Sequence, residues 1–224
     1  MNDTLLTIFL LFVLGIFAWF GYTRMFLGML AQFGMLVLAA AVGNPNWLGD
    51  TVIRIINRMY MLTDMMLNGG FQLIAGGEFS ADKFGEIFAV AKVKPPLIPP
   101  QNEEIILFVL MLLLIISSFL IANRIKKKSS LLLGVLFGLA NGLLVTYLLL
   151  PVLGGGEGIL PTLEPKTPME GVLGVLQLAT RTLLAPLAIV FESLGSWAIV
   201  VIILAIVFIA AGSARVSKTS ANKS

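Results

Sequence analysis

The chain contains no histidine and no cysteine. Without imidazole, no metal site can use that ligand and no side chain of that type can shuttle protons near neutrality. Without thiols there is no disulfide, thiolate nucleophile, iron–sulfur cluster or thiol-ligated haem, and the ligand sets that dominate zinc sites are missing. No metal and no cofactor is therefore expected, while the redox compartment stays open because nothing is there to oxidise. Charge is scarce as well. Asp, Glu, Lys and Arg make up 12% of the 224 residues, against about 25% in a typical soluble chain. The formal charge of +3 and the isoelectric point near 9.3 are too modest to imply a nucleic-acid partner. No Gly-x-Ser-x-Gly, Walker loop or dinucleotide fingerprint occurs, and no catalytic constellation emerges, so the chain reads as a non-enzyme.

What is abundant is apolar. Hydrophobic residues make up 58% of the chain and the mean hydropathy is +0.99, so the partner implied is the lipid bilayer. Five apolar runs are candidates for membrane spans: Leu5–Phe20 extending to Thr23, Phe26–Val42, Ile105–Ala122, Leu131–Leu150 and Gly195–Gly212. Each approaches the roughly 20 residues that a hydrocarbon core of about 30 Å demands of a helix. None shows the alternating polarity of a barrel strand. The expectation is an all-α membrane protein with about five transmembrane helices. The first run reads as a retained span, because Asp3 stands where a signal peptide carries positive charge and no small-x-small site follows Phe20.

The basic residues orient these spans. Arg24 lies in the first turn, Arg124, Lys126, Lys127 and Lys128 in the loop 123–130, and Arg215, Lys218 and Lys223 in the tail after Gly212. These eight of the fifteen basic residues share their side with none of the twelve acids. The reading is an N-terminus outside and a C-terminus inside; if Gly195–Gly212 only lay on the surface, the basic tail would be stranded outside.

Five units follow: an N-terminal hairpin (1–43), an outward segment (44–104), a second hairpin (105–153), a second outward segment (154–194), and a last span with a basic tail (195–224). In the first outward segment, Asp50, Arg54, Asn57, Asp64 and Asn68 recur at helical steps from Gly49 to Phe71, with apolar residues on the other arc. That is an amphipathic, interfacial helix, in which Asp50 and Arg54 stand four apart and can pair. Ser80 is positioned to cap a second helix, Ser80–Ala91, and Lys94–Pro100 reads as an extended, proline-stiffened spacer. In the second outward segment, residues 170–192 read as an interfacial or re-entrant helix, because Arg181 near its middle opposes a full crossing.

The most specific local pattern is Gly134-x-x-x-Gly138-x-x-x-Gly142. In lipid no hydrophobic force drives helices together, and small residues associate them by allowing close backbone approach. These glycines with Asn141 mark a helix-packing seam whose partner is another span or a second copy of the chain. A homo-oligomer and a larger membrane complex both remain open. Gln32, Ser117, Asn141 and Thr146 are the candidate polar lining of a passive pathway, and no span carries an ionisable residue near its centre, which disfavours ion-coupled transport.

Two N-terminal spans joined by Gly21-Tyr22-Thr23-Arg24, the continuation Phe26-Leu27-Gly28, and the later stretch from Leu133-Gly134 through Gly138 to Asn141-Gly142-Leu143 together resemble the colicin V production protein family (CvpA-like). The resemblance covers about residues 5–43 and 105–153. The family commonly places a glycine after the basic residue of the turn, where this chain has Met25, and usually has four spans. The resemblance implies a bacterial cytoplasmic (inner) membrane location and an association with toxin production and export or envelope upkeep.

Overall fold

The computed structural model describes residues 3–75, 80–125, 129–154, 160, 171–194, 201 and 205. Among these the regular structure is entirely helical. The elements are α1 (Asp3–Gly43), a π-helical turn (Pro45–Gly49), α2 (Asp50–Met65), a second π turn (Met66–Gly70), α3 (Phe71–Ala75), α4 (Ala81–Val93), a 3₁₀ turn (Pro100–Asn102), α5 (Glu103–Arg124), α6 (Leu131–Gly154) and α7 (Gly171–Leu194). Three helical stretches are long and apolar enough to cross a membrane: Thr7–Gly43, Pro100–Arg124 and Leu131–Leu149. The last expected run, Gly195–Gly212, lies outside the described residues except for Val201 and Ala205.

The stretch Thr7–Gly43 is 37 residues long, and at about 1.5 Å per residue it would measure about 55 Å if straight. It is not straight. Met25 breaks it with φ 59° and ψ −179°, and the contacts on either side show a reversal. Phe17, before the break, has its carbonyl against Gly138, while Phe33, after it, stacks edge-on with Phe137 at 5.5 Å between centroids. Sixteen residues of continuous helix would hold those two phenylalanines about 24 Å apart, yet they meet adjacent residues of α6. Helix α1 is therefore two arms, residues 3–24 and 26–43, folded back on each other at Met25. The turn expected around Gly21–Arg24 is present, with its break one residue later, at a side chain that occupies backbone space otherwise almost reserved for glycine.

Both arms pack against α6, and α5 packs along α1. The shared core is Leu36, Val37, Leu107, Met111, Leu144 and Leu148, each at most 2% exposed. Helix α5 is the outer member: Ile105, Val109, Leu113, Ile116 and Leu120 are all exposed. Their spacing of four, four, three and four residues forms one apolar stripe on a helix. Helix α6 runs beyond the expected Leu150 through Pro151 to Gly154. Helix α7 lays a stripe of Leu176, Thr180 and Leu184 inward and leaves Arg181 exposed, so its central charge stays out of the packed face.

In residues 44–104 α2 and α4 form near the expected positions, with two differences. Ser80 sits at the N-cap of α4 but its side chain makes no capping hydrogen bond. Arg54 donates through Nε to the backbone carbonyl of Asp50 at 3.2 Å and through Nη2 to Thr51 Oγ1 at 3.4 Å, rather than to the Asp50 carboxylate.

Candidate functional site

The glycine face of α6 lies on the first arm of α1. A Cβ at Gly134 would stand 2.6 Å from the carbonyl oxygen of Gly21 and 2.9 Å from Cα of Met25. At Gly138 it would overlap the carbonyl oxygen of Phe17 and reach within 3.1 Å of Cα of Gly21. At Gly142 it would meet Cβ of Phe17 at 3.0 Å and Cδ2 of Leu14 at 3.2 Å. The approach is backbone on backbone at Gly134 and Gly138 and softens to side chains at Gly142. The seam's partner is thus within the same chain. Gly21 is its reciprocal member, since a Cβ there would overlap the Gly134 carbonyl. Gly28 plays a similar part for α5, with 3.2 Å from its Cβ position to the carbonyl oxygen of Ala122.

Asn141, beside the seam, ties α6 to the second arm. Its Nδ2 donates to the carbonyl oxygen of Met29 at 3.0 Å, and the residue is fully buried. Gln32 stands one turn beyond Met29 and is also fully buried. Neither amide atom of Gln32 has a hydrogen-bond partner, nor does Oδ1 of Asn141. A buried polar group left in that state costs about 1–3 kcal/mol, so Gln32 is a position where an apolar side chain of similar size is expected to stabilise the bundle.

The other expected lining residues behave differently. Thr146 is buried, but its hydroxyl donates back to the carbonyl of Gly142 at 2.8 Å. Ser117 is only half-buried; the fully buried serine of α5 is Ser118, whose hydroxyl donates to the carbonyl of Ile115 at 2.6 Å. Thr180 of α7 is fully buried with its hydroxyl unpartnered. Of the four, then, Gln32 and Asn141 are fully buried with unpartnered amide atoms, Thr146 is closed on its own helix, and Ser117 gives way to its neighbour.

Of the basic residues expected to orient the spans, the two that can be placed, Arg24 and Arg124, lie at the reversal. Leu27 N–H donates to Ser129 Oγ at 3.2 Å, and Ser129 N–H approaches Met25 Sδ at 3.3 Å. The turn between the arms and the turn between α5 and α6 are therefore one surface, which also carries Arg24 and Arg124. The Arg24 guanidinium stands 4.3 Å above the Phe20 ring and 5.9 Å from that of Phe119, a cation–π arrangement that holds the charge against the aromatic end of the bundle. Lys126, Lys127, Lys128, Arg215 and Lys218 lie outside the described residues. Among the described residues, no group of three Asp or Glu side chains is placed to hold a metal ion. What the interior offers chemically is neutral hydrogen bonding by amides and hydroxyls. Compared with protein family models, curated proteins and solved structures, the chain matches none of them.

Proposed function

We propose that the chain is a non-enzymatic, multi-pass protein of the bacterial inner membrane, CvpA-like in type, acting as a packed scaffold in toxin (colicin V) production and export or in envelope maintenance. The observation that carries the scaffold reading is the seam: Gly134 and Gly138 bring α6 into backbone contact with the first arm at Gly21 and Phe17. Such close contact suits a fixed bundle better than helices that slide past one another. Two arms of α1, then α5, α6 and the run Gly195–Gly212 make five crossings on this reading. Arg24 and Arg124 at one end of the bundle support an inward assignment of that end, with the N-terminus outside and the C-terminus inside.

A second reading, a passive pathway subunit, is favoured by one observation: Gln32, an amide buried in the bundle without partners. Reconstitution in liposomes separates the two. A scaffold passes neither ions nor small neutral solutes, and Gln32→Leu makes it more stable by about 1–3 kcal/mol because an unsatisfied group is removed. Solute flux that Gln32→Leu abolishes would replace the scaffold reading with the pathway. Purification in mild detergent tests the wider role: an accessory part of a larger assembly brings partners with it, and a chain that runs alone counts against that role.

A further inference from the structure

At the end of the bundle away from Met25, a cleft of about 350 Å³ opens between α2, the end of α4 and the proline-rich strap 94–100. The sequence explains why the strap is held. Lys94 (φ −66°, ψ 145°) and Pro99 (φ −73°, ψ 154°) are in polyproline II geometry, which makes no internal hydrogen bonds, and the flanking prolines have no N–H to offer. Ile98 supplies both groups: its N–H donates to Asn57 Oδ1 at 2.8 Å, and its carbonyl accepts from Asn57 Nδ2 at 3.1 Å. The Ile98 side chain is buried in the core. Lys94 closes the near side by pairing with Asp64 at 2.7 Å.

The cleft so formed is cationic. Arg54 and Arg58 from α2, Lys92 from the last turn of α4 and Lys94 from the strap line it, with Asp64 as its one acid. Asp64 is already taken by Lys94, and Arg54 is turned to the Asp50 carbonyl and Thr51. Arg58 and Lys92 are exposed and, among the described residues, have no ion-pair partner. A guanidinium and an ammonium converging on a cleft with three surplus positive charges, four cations less one carboxylate, suit the oxygens of a phosphate group. Beside this face, Ile55, Met59, Leu62 and Met66 are exposed at steps of four, three and four residues, an apolar stripe of the kind that rests on acyl chains.

We infer that this cleft is a binding site for a phosphate group, with Arg58 and Lys92 as its principal contacts and an anionic phospholipid headgroup as the source that the neighbouring stripe favours. The test uses the full chain purified in mild detergent, with retention of phosphatidylglycerol and of phosphatidylcholine read by native mass spectrometry, and binding of inorganic phosphate measured separately. Phosphatidylglycerol is retained over phosphatidylcholine, and its retention weakens about fivefold in Arg58→Gln and about thirtyfold in Arg58→Gln/Lys92→Gln, from about 1 kcal/mol per basic residue. Arg124→Gln, at the opposite end, leaves it unchanged. Binding of inorganic phosphate alone, lost in the double variant, supports the same site with a soluble source. Equal retention of the two lipids with no phosphate binding, or retention unaffected by a double variant whose melting is unchanged, overturns the inference.

Discussion

Replacing Gly138 by alanine tests the seam at its tightest point. The added methyl would overlap the Phe17 carbonyl oxygen and sit 3.1 Å from Cα and 3.2 Å from N of Gly21. All three atoms are backbone, so no rotamer change relieves them and the two helices must part. Overpacking of this kind costs about 1–3 kcal/mol, while alanine regains up to about 1 kcal/mol of helix propensity over glycine. The net expectation is a loss of about 1–2 kcal/mol. Two comparisons fix the interpretation. At Gly142 the methyl meets Phe17 Cβ at 3.0 Å and Leu14 Cδ2 at 3.2 Å. The leucine tip can turn away but the phenylalanine Cβ moves only with its backbone, so Gly142→Ala is expected to cost less than Gly138→Ala and to fall between it and Gly15→Ala. At Gly15 nothing lies within 4 Å, and Gly15→Ala is expected to gain up to about 1 kcal/mol. Denaturant-induced unfolding of the detergent-solubilised chain, followed by circular dichroism, ranks the three. If Gly138→Ala is as stable as Gly15→Ala, the close backbone approach is refuted.

Two further substitutions probe the turn and the strap. Met25 holds a backbone conformation that costs a non-glycine residue about 1–3 kcal/mol; Met25→Gly should raise stability by about 1 kcal/mol even after losing the Sδ contact to Ser129, whereas Met25→Ala should lower it. An equal loss in both would show that the reversal carries no strain. Asn57→Ala removes both hydrogen bonds to Ile98, about 2 kcal/mol together, and should speed amide exchange at Ile98 by about thirtyfold. Asn57→Asp, which keeps the acceptor and loses the donor, should fall between; an unchanged Ile98 amide would contradict the pinning.

The all-helical class was legible because the backbone in lipid must be satisfied within a helix or a closed barrel, and uninterrupted apolar runs lack the alternation that barrel strands show. The glycine spacing on α6 was legible too, since spacing is local. Its partner was not: Gly21 is one glycine among many, and only the fold brings it to Gly134. The choice of Ser117 over Ser118 shows a second limit. Leu107, Met111, Ile115, Ser118 and Ala122 form the buried face of α5, but a helix apolar all round hides which face turns inward. Asn57 and Ile98 are 41 residues apart, and nothing in either neighbourhood signals their pairing.

The reversal at Met25 is the feature on which the bundle depends, and the absence of native cysteine allows it to be tested by single-cysteine labelling. Thr4→Cys, Tyr22→Cys and Asn46→Cys, expressed one at a time in bacterial cells, are treated with a maleimide that does not cross membranes. The folded-back arms predict that positions 4 and 46 label from the same side of the membrane and position 22 from the other; with the orientation proposed above, 4 and 46 label from the outside and 22 only after the membrane is opened. Labelling of positions 4 and 46 from opposite sides would mean that α1 crosses once, and would contradict the account.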